Sequence, residues 1–248
     1  MQTSQNSMQR ATSVRAKALR RSEILSEACR LLEDEHFEGF TMQALSKRLG
    51  LAKGTLYLYF DTRETLYLAL LDEKVQAWAQ RFRQTIRAQV TSDEGWARAY
   101  YESVLSDPLF LQLVLRADLS IVPNVPIAAL IAHKRLWAEA MNWVGEATRL
   151  ALKISEAKAL EAVLATGFLL IGCGNQLQAD VYAQDNLPAD VQEIITLFSP
   201  EKHFVSNVCR ILALVSRAAA PGLRSSSLKE SDATPLKNAR MDKFRIIV

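Results

Sequence analysis

The fold is decided by Thr41-Met-Gln-Ala-Leu-Ser-Lys-Arg-Leu-Gly-Leu-Ala-Lys-Gly-Thr-Leu-Tyr-Leu-Tyr-Phe60. The apolar side chains of this stretch are spaced as in two short helices that pack across a tight turn. These are Leu45, Leu49, Leu51, Leu56 and Tyr59. Gly50 offers the positive φ that such a turn usually needs, and Thr41 is a good N-cap for the first helix. The pattern therefore predicts a helix-turn-helix.

The outer surface of the second helix carries cations and hydroxyl groups and almost no carboxylates. Its residues are Lys53, Gly54, Thr55, Tyr57 and Leu58. Cations and hydroxyl groups bond phosphate oxygens, whereas a carboxylate would be repelled by them. The composition of this surface indicates a helix that lies against DNA.

The same residues carry a family resemblance. Lys53-Gly-Thr-Leu-Tyr-Leu-Tyr-Phe60, followed by Thr62-Arg-Glu-Thr-Leu66, resembles the DNA-binding module of the TetR family of bacterial transcriptional regulators. The helix Arg21-Ser-Glu-Ile-Leu-Ser-Glu-Ala-Cys-Arg-Leu-Leu32 and the hinge Phe37-Glu-Gly-Phe-Thr41 continue the match, which covers about residues 20–70. The resemblance implies an all-α fold, with an N-terminal three-helix DNA-binding domain and a larger helical domain for effector binding and dimerisation.

The resemblance also implies which residues hold DNA. They are Thr41, Arg48, Lys53, Gly54, Thr55, Tyr57, Leu58, Tyr59 and Arg63. We expect the hydroxyl groups of Thr41, Tyr57 and Tyr59, together with the Arg63 cation, to contact phosphates. We look to Lys53, Thr55 and Arg48 for contacts with the bases.

Three positions depart from the usual family pattern. His36 stands where a helix-ending glycine is common, and Ala52 stands where a serine often caps the second helix. A missing serine cap costs about 1 kcal/mol. Leu58 stands where a polar side chain often reads a base, and leucine can touch a thymine methyl group but cannot form a hydrogen bond. Base recognition at position 58 is therefore in doubt.

Charge is unevenly divided along the 248 residues. Residues 1–63 and 222–248 each carry three excess positive charges, whereas residues 64–221 carry three excess negative charges. The segment 1–19 is predicted to be a basic flexible arm, which either follows the DNA backbone or minor groove or is simply a solvated leader. The composition after Pro221 predicts a disordered tail at 222–248, whose cations either assist DNA binding or are solvated.

Between these ends the sequence predicts helices only. The predicted domains are the helix-turn-helix domain at 20–66 and the effector-binding and dimerisation domain at 67–221. A first helix is expected from Arg20 to Asp34, and a fourth helix is expected to start at Thr62. Further helices are expected at 93–105, 108–119, 126–151, 156–180, 188–197 and 200–219, with prolines at most of the breaks.

The last two long helices are candidates for a dimer interface, because this is where two subunits of the family usually meet. The residues expected to form it are Leu164, Phe168, Ile171, Phe204, Val208, Ile211, Leu212 and Val215. The alternative is that these side chains form internal core. A dimer is favoured because a single helix-turn-helix holds one half-site weakly, and a two-fold dimer joins two half-sites.

In the family, the helices that precede this pair enclose an apolar cavity for a small molecule. The residues expected to line it are Trp96, Tyr100, Phe110, Leu113, Trp137 and Met141. Candidate polar contacts are Asp118, His133, Asn142 and Gln176. Aromatic residues at helical spacing are also common in an ordinary core, so that alternative stays open.

Enzymatic motifs are missing from the sequence. The three histidines are scattered, and no phosphate loop, dinucleotide fingerprint or nucleophile elbow is present, so we expect neither catalysis, nor a cofactor, nor a metal site. The cysteines Cys29, Cys173 and Cys209 are interpreted as small core residues. The most apolar stretch, 159–173, is broken by Glu161, Thr166 and Gly167, which predicts a buried helix rather than a membrane span. The N-terminus lacks the apolar centre of a secretory signal, so we expect a cytoplasmic protein.

Together these features predict a DNA-binding transcriptional regulator. The favoured hypothesis is a repressor that binds a near-palindromic operator as a homodimer and is released by a small apolar effector. The alternative is a DNA-organising or activating protein with the same DNA-binding head and no small-molecule control.

Overall fold

The computed structural model describes residues 2–90, 92–177, 187–197 and 199–217, and all regular structure in these ranges is helical. The α-helices are α1 (Gln2–Gly39), α2 (Met42–Arg48), α3 (Lys53–Tyr57), α4 (Arg63–Gln89), α5 (Asp93–Leu105), α6 (Pro108–Arg116), α7 (Ile127–Leu152), α8 (Glu156–Leu177), α9 (Ala189–Leu197) and α10 (Pro200–Arg217). A π-helical turn (Ala117–Ile121) and a 3-10 turn (Val122–Asn124) connect α6 to α7. The predicted all-α fold class is confirmed.

Helix α1 is longer at both ends than the sequence pattern predicted. It begins at Gln2 rather than at Arg20, so residues 2–19 are helical and do not form the expected irregular arm. This segment contains no proline or glycine to stop a helix. Near the other end the backbone kinks at His36, where φ is 56°. Because ψ is −177°, this is a conformation that glycine adopts far more readily than other residues, which explains why a glycine suits this position.

The short helices α2 and α3 form the predicted helix-turn-helix. The Thr41 hydroxyl group caps α2 by accepting a hydrogen bond from the Ala44 amide at 3.0 Å. Gly50 has a φ of 64° at the turn, as expected. Leu45 and Leu56 are fully buried between α2, α3 and their neighbours. Burial of these two side chains fixes the angle at which α3 faces solvent.

Helix α4 connects the DNA-binding head to the rest of the molecule. Thr62 and Thr65 form a capping box at its start, because each side chain accepts a hydrogen bond from the backbone of the other residue. Its 27 residues span about 40 Å. It crosses the predicted domain boundary between residues 66 and 67 without a break, so one rigid helix belongs to both predicted domains.

The remaining helices form a layered bundle around α4. Helix α7 packs against both α4 and α8, and α10 packs against α5 and α8. Their starts agree with the sequence pattern to within one residue. Helix α6 ends at Arg116 rather than at 119, because the chain continues as the π-helical turn. The predicted ends of the last two long helices, at 180 and 219, lie outside the described residues, as does the tail 222–248.

A cluster of aromatic rings fills the centre of the bundle. It consists of Trp78, Phe82, Trp96, Tyr100, Phe110 and Phe204, with neighbouring ring centroids 5.3–6.1 Å apart. The indole nitrogen of Trp96 donates a hydrogen bond to the Thr148 hydroxyl group at 3.1 Å. This bond satisfies the buried polar atom of Trp96 and fixes α5 against α7.

Candidate DNA-binding surface and internal cavity

Helix α3 presents an exposed face without carboxylates. Leu58 is 75% exposed and Tyr57 is 39% exposed. Lys53 is also exposed, and its ammonium nitrogen lies 6.0 Å from the centroid of the Tyr57 ring. Thr55 is half-buried. The face therefore joins one cation, one phenol group and one aliphatic side chain, the mixture that the sequence predicted.

Gly54 leaves an open space at the centre of this face. A Cβ atom built at Gly54 would meet no other atom of the protein within 4 Å. The fold itself therefore does not require a glycine at this position. Glycine also lowers helix stability, so the packing of the subunit gives no reason for a glycine here.

Two cations of α1 extend the surface beyond the residues that the sequence pattern singled out as DNA contacts. The Lys17 ammonium nitrogen lies 6.0 Å from the centroid of the Tyr59 ring, and the Arg21 guanidinium carbon lies 5.0 Å from that of the Phe60 ring. Lys17 lies in the segment 1–19 that was predicted to be a basic flexible arm, and Arg21 lies two residues after it. Their spacing of four residues would have placed them on one helical face, had α1 been predicted to start earlier.

Arg63 stands at the first position of α4, next to the Thr62 cap. Its guanidinium group bonds the Glu64 carboxylate at 3.2 Å and lies 5.7 Å from the Tyr67 ring centroid. Half of its side chain remains exposed. A helix N-terminus adds partial positive charge, so this corner suits a phosphate group.

Arg48, which was expected to contact bases, is paired with carboxylates of α1. Its guanidinium group bonds the Asp34 carboxylate at 2.8 Å and also lies 3.6 Å from Glu27 and 4.0 Å from Glu35. Three carboxylates of α1 thus hold this cation against the first helix. These ion pairs could not be predicted from the sequence pattern because the three acids lie 13 or more positions earlier in the chain.

The helical body contains a largely apolar cavity of about 210 Å³. Four of the six residues expected from sequence line it, namely Tyr100, Phe110, Trp137 and Met141. Trp96 and Leu113 do not line it, because both are fully buried in the surrounding core. Its wall also includes Trp78 of α4, together with Val104, Val114, Ala117, Val163, Leu164, Gly167, Phe168, Leu170 and Ile171.

Polar groups lie both inside this cavity and at its mouth. Inside it, the Nδ1 atom of His133 lies 2.6 Å from the Asp72 carboxylate, and His133 is only 2% exposed. Tyr100 also lines the interior, and burial raises the pKa of its phenol group, which therefore stays protonated near neutral pH. At the mouth, Asp118 and Lys134 are exposed and their charged atoms lie 4.0 Å apart.

The other two polar candidates are less informative. Asn142 is exposed on α7 and is not part of the cavity wall. The side chain of Gln176 lies outside the described part of the molecule. The useful polar residue inside the cavity is therefore His133, whose connection to Asp72 of α4 could not be read from the sequence.

The residues expected at a dimer interface fall into two groups. On α8, Phe168 is 75% exposed and Leu164 is 41% exposed, and Ile171 is half-buried beside them. On α10, by contrast, four of the five candidates are buried within the same subunit. They are Phe204, Val208, Leu212 and Val215, and they face α5 and α8. Ile211 is half-buried, and the exposed apolar residue of α10 is Leu214.

The cysteines are partly buried thiols. Burial raises the pKa of Cys29, Cys173 and Cys209, which keeps them in the less reactive protonated form. Within the described residues, no group of three or more His, Cys, Asp or Glu side chains is arranged to hold a metal ion.

Helix α8 is more exposed than the sequence predicted. By length and composition, its segment Glu156–Gly174 is apolar enough to cross a membrane, and only 33% of that window is buried in the subunit. The expectation of a buried helix is therefore only partly met. The same helix packs against α7 and α10 along its other side.

Comparison with known proteins places both parts of the chain in one family. Residues 24–70 match the family model of bacterial regulatory proteins of the tetR family, and residues 72–187 match that of the tetracyclin repressor-like C-terminal domain. The fatty acid metabolism regulator protein of Bacillus subtilis is 27% identical over 75 residues, which are 30% of this chain and 39% of that protein. The HTH-type transcriptional repressor AcnR of Corynebacterium diphtheriae is 30% identical over 76 residues, which are 31% of this chain and 40% of that protein.

These matches span about two fifths of the length of the two curated relatives. Among solved structures, the multidrug binding protein EbrR, complexed with imidazole, matches with a TM-score of 0.51 and 18% identity. The alignment covers 81% of this chain and 97% of that one. At this identity the likeness shows a common fold.

Proposed function

Because this chain belongs to the TetR family of bacterial transcriptional regulators, we propose that it is a repressor that binds a near-palindromic operator as a homodimer and is released by a small apolar effector. Its family consists of transcription regulators rather than enzymes. One observation carries the proposal. Helix α4 has Arg63 beside the DNA-binding face at one end and Trp78 in the cavity wall further along.

The DNA contacts divide into phosphate-binding and base-reading groups. Thr41, Tyr57, Tyr59 and Arg63 supply hydroxyl groups and a cation for the phosphates, and Lys17 and Arg21 add positive charge beside α3. Lys53 and Thr55 are the proposed base readers, with an apolar contact from Leu58 to a thymine methyl group. Arg48 reaches the operator only by leaving its three carboxylates on α1, so its role is the weakest of the set.

The proposed dimer joins two DNA-binding heads about one helical turn of DNA apart, or 34–36 Å. The exposed side of α8 supports this assembly, because Leu164 and Phe168 form an apolar stripe that a partner subunit would cover. From α10, we propose that Leu214 and Ile211 contribute in place of the four buried residues. Because the proposed operator is chromosomal DNA, we also propose a cytoplasmic location.

Release by an effector requires that the ligand bind two conformations unequally. The cavity is suited to this task because its wall combines residues of α4, α6, α7 and α8. A ligand that pushes these helices apart tilts α4 and changes the spacing of the two heads. The α3 helices of the two subunits then no longer fit successive major grooves, and the dimer dissociates from the operator.

A gel-shift titration with the DNA that flanks the gene tests the recognition surface. Lys53→Ala and Tyr57→Ala should each weaken binding by about tenfold or more, since one good DNA contact is worth about 1–3 kcal/mol. Lys202→Ala is the matched control, because Lys202 is an exposed lysine on α10 and should leave affinity unchanged. Unchanged affinity in both α3 variants would show that the recognition helix is assigned wrongly.

A transcription assay with the same DNA separates the proposal from its alternative. A repressor lowers transcription of the adjacent gene, and an effector restores it. An activator raises transcription, and a DNA-organising protein binds with the same affinity whatever small molecule is added.

A further inference from the structure

We propose that the cavity selects a small, uncharged, single-ring hydroxyl compound, whose hydroxyl group donates a hydrogen bond to the Nε2 atom of His133. This inference rests on the proposed effector site and adds the chemical class of its ligand. It starts from the His133–Asp72 contact of 2.6 Å, which lies in the wall of an otherwise largely apolar cavity.

The contact with Asp72 determines what His133 offers to a ligand. A carboxylate accepts hydrogen bonds only, so the proton in this contact belongs to Nδ1. In the neutral form of the ring, Nε2 then carries a lone pair and accepts a hydrogen bond. No described residue donates a hydrogen bond to that atom. His133 is 2% exposed and lines the cavity, so a molecule bound in the cavity can supply the partner.

The size of the cavity suits a ligand of about one ring. An apolar cavity of about 150 Å³ holds a benzene molecule. The cavity here measures about 210 Å³, which leaves room for a ring with one or two small substituents. Aromatic and aliphatic side chains make up most of its wall, so the body of the ligand must be apolar.

The charges around the cavity disfavour an anionic ligand. An acid that bonded His133 would lie close to the Asp72 carboxylate, which already contacts the same imidazole ring. At the mouth, the Lys134 cation lies 4.0 Å from the Asp118 carboxylate, so its charge is largely offset. A hydroxyl group meets neither obstacle because it is neutral.

The arrangement of the aromatic rings disfavours a cationic ligand. Attraction between a cation and an aromatic ring requires an accessible ring face. Trp78 is stacked on Phe82 with 5.8 Å between centroids and on Phe110 with 5.6 Å, so neighbouring rings cover its faces. Tyr100 is packed against three other aromatic rings in addition to Trp78. Trp78 and Tyr100 therefore offer little open ring face to a cation.

Isothermal titration calorimetry on the full chain tests the proposal with p-cresol and toluene, which differ by one hydroxyl group. The native protein should bind p-cresol more tightly than toluene. In His133→Leu the ratio of the two affinities should shift by at least tenfold in favour of toluene, because the hydroxyl group loses its acceptor. Toluene affinity itself should change by less than threefold. A p-cresol preference that survives in His133→Leu would overturn the proposal.

Two further variants keep the test decisive. If His133→Leu unfolds because Asp72 loses its partner, the double variant Asp72→Leu/His133→Leu removes both members of the hydrogen-bonded pair, a replacement that can be nearly neutral for stability. Tyr100→Phe removes the hydroxyl group of the cavity wall, which is the other neutral polar group there, and should preserve the p-cresol preference. If Tyr100→Phe loses the preference for p-cresol over toluene and the double variant retains it, the ligand hydroxyl group contacts Tyr100. That result would contradict the proposal.

Charged analogues complete the experiment. 4-Methylbenzoate and 4-methylbenzylammonium should each bind at least tenfold more weakly than p-cresol, and tighter binding of either would contradict the proposed ligand class. Gel shifts with p-cresol separate this inference from the proposed function. If p-cresol binds through His133 but operator affinity does not change, the ligand site stands and effector control fails.

Discussion

The Arg116 guanidinium group lies over the ring of Phe37, with 4.3 Å between its central carbon and the ring centroid. Its terminal nitrogen also lies 3.7 Å from the Glu38 carboxylate. Phe37 and Glu38 belong to α1 in the head, directly after the kink at His36. Arg116 is the last residue of α6, and the next residue, Ala117, lines the cavity. In addition to α4, the Arg116 side chain therefore connects the head with the cavity wall.

This connection predicts that Arg116→Met weakens effector control. Methionine preserves part of the apolar stem and removes both the ring–cation contact and the ion pair. With p-cresol as the probe, the native protein should lose at least fivefold in operator affinity, the lower end of ordinary coupling between two sites. In Arg116→Met the fold loss of operator affinity caused by p-cresol should be less than half of the native value. Calorimetry should show that the variant binds p-cresol with the native affinity.

Arg98→Met is the control for the coupling prediction. Arg98 also forms two ion pairs, with Glu94 and Glu201, but both partners belong to the helical body. Its removal should leave the effector response unchanged. If p-cresol lowers operator affinity equally in the native protein, Arg116→Met and Arg98→Met, the cavity communicates with the head along α4 and not through Arg116.

A second prediction concerns the cap of α3. Ala52 occupies the N-cap position with extended backbone and makes no side-chain hydrogen bond. Ala52→Ser should therefore add a cap worth about 1 kcal/mol, which raises the thermal unfolding midpoint by about 2–4 °C for a chain of this size. Thr62→Ala is the matched opposite change, because it removes the observed capping box of α4 and should lower the midpoint. A midpoint that does not move in Ala52→Ser would show that the end of α3 frays independently of global unfolding.

Local signals explain why most of the fold could be predicted from the sequence. Thr41, Gly50 and Thr62 act through contacts within four residues, and the prolines that begin the later helices do the same. The true start of α1 could not be predicted because residues 2–19 are polar, only weakly amphipathic and free of proline and glycine. Such a segment gives no local signal that distinguishes a helix from an irregular arm. The π-helical turn after Arg116 has no known local signature and was also missed.

The candidate sites were harder to predict because they depend on which helix faces which. Helical spacing shows that Phe204, Val208, Leu212 and Val215 share one face of α10, but it cannot tell whether that face meets the same subunit or another. The structure places the face against α5 and α8 of the same chain. The His133–Asp72 pair is separated by 61 positions and carries no sequence signal at all.

A third prediction uses the open space at Gly54. Gly54→Ala should stabilise the free protein slightly, because the new methyl group meets nothing within 4 Å and alanine favours a helix by about 0.5–1 kcal/mol. If the DNA backbone approaches α3 at this point, the same change should weaken operator binding about tenfold. Thermal unfolding and gel shifts measure the two effects. Unchanged or tighter DNA binding would place the close approach elsewhere on the head.

The last prediction concerns the exposed stripe of α8. Full burial of a phenylalanine is worth about 1.5–3 kcal/mol, and a two-fold interface buries Phe168 twice. Phe168→Glu removes this gain and places two carboxylates in the interface, where they must lose their hydration. The dissociation constant of the dimer should therefore rise at least a hundredfold. Sedimentation equilibrium at micromolar concentration should then show a monomer with native helical content by circular dichroism. Leu19→Glu is the control, since Leu19 is 59% exposed on α1 and should leave a dimer. If Phe168→Glu is still dimeric, the subunits meet through another surface, and the apolar stripe of α8 belongs only to the mouth of the cavity that Leu164 and Phe168 also line.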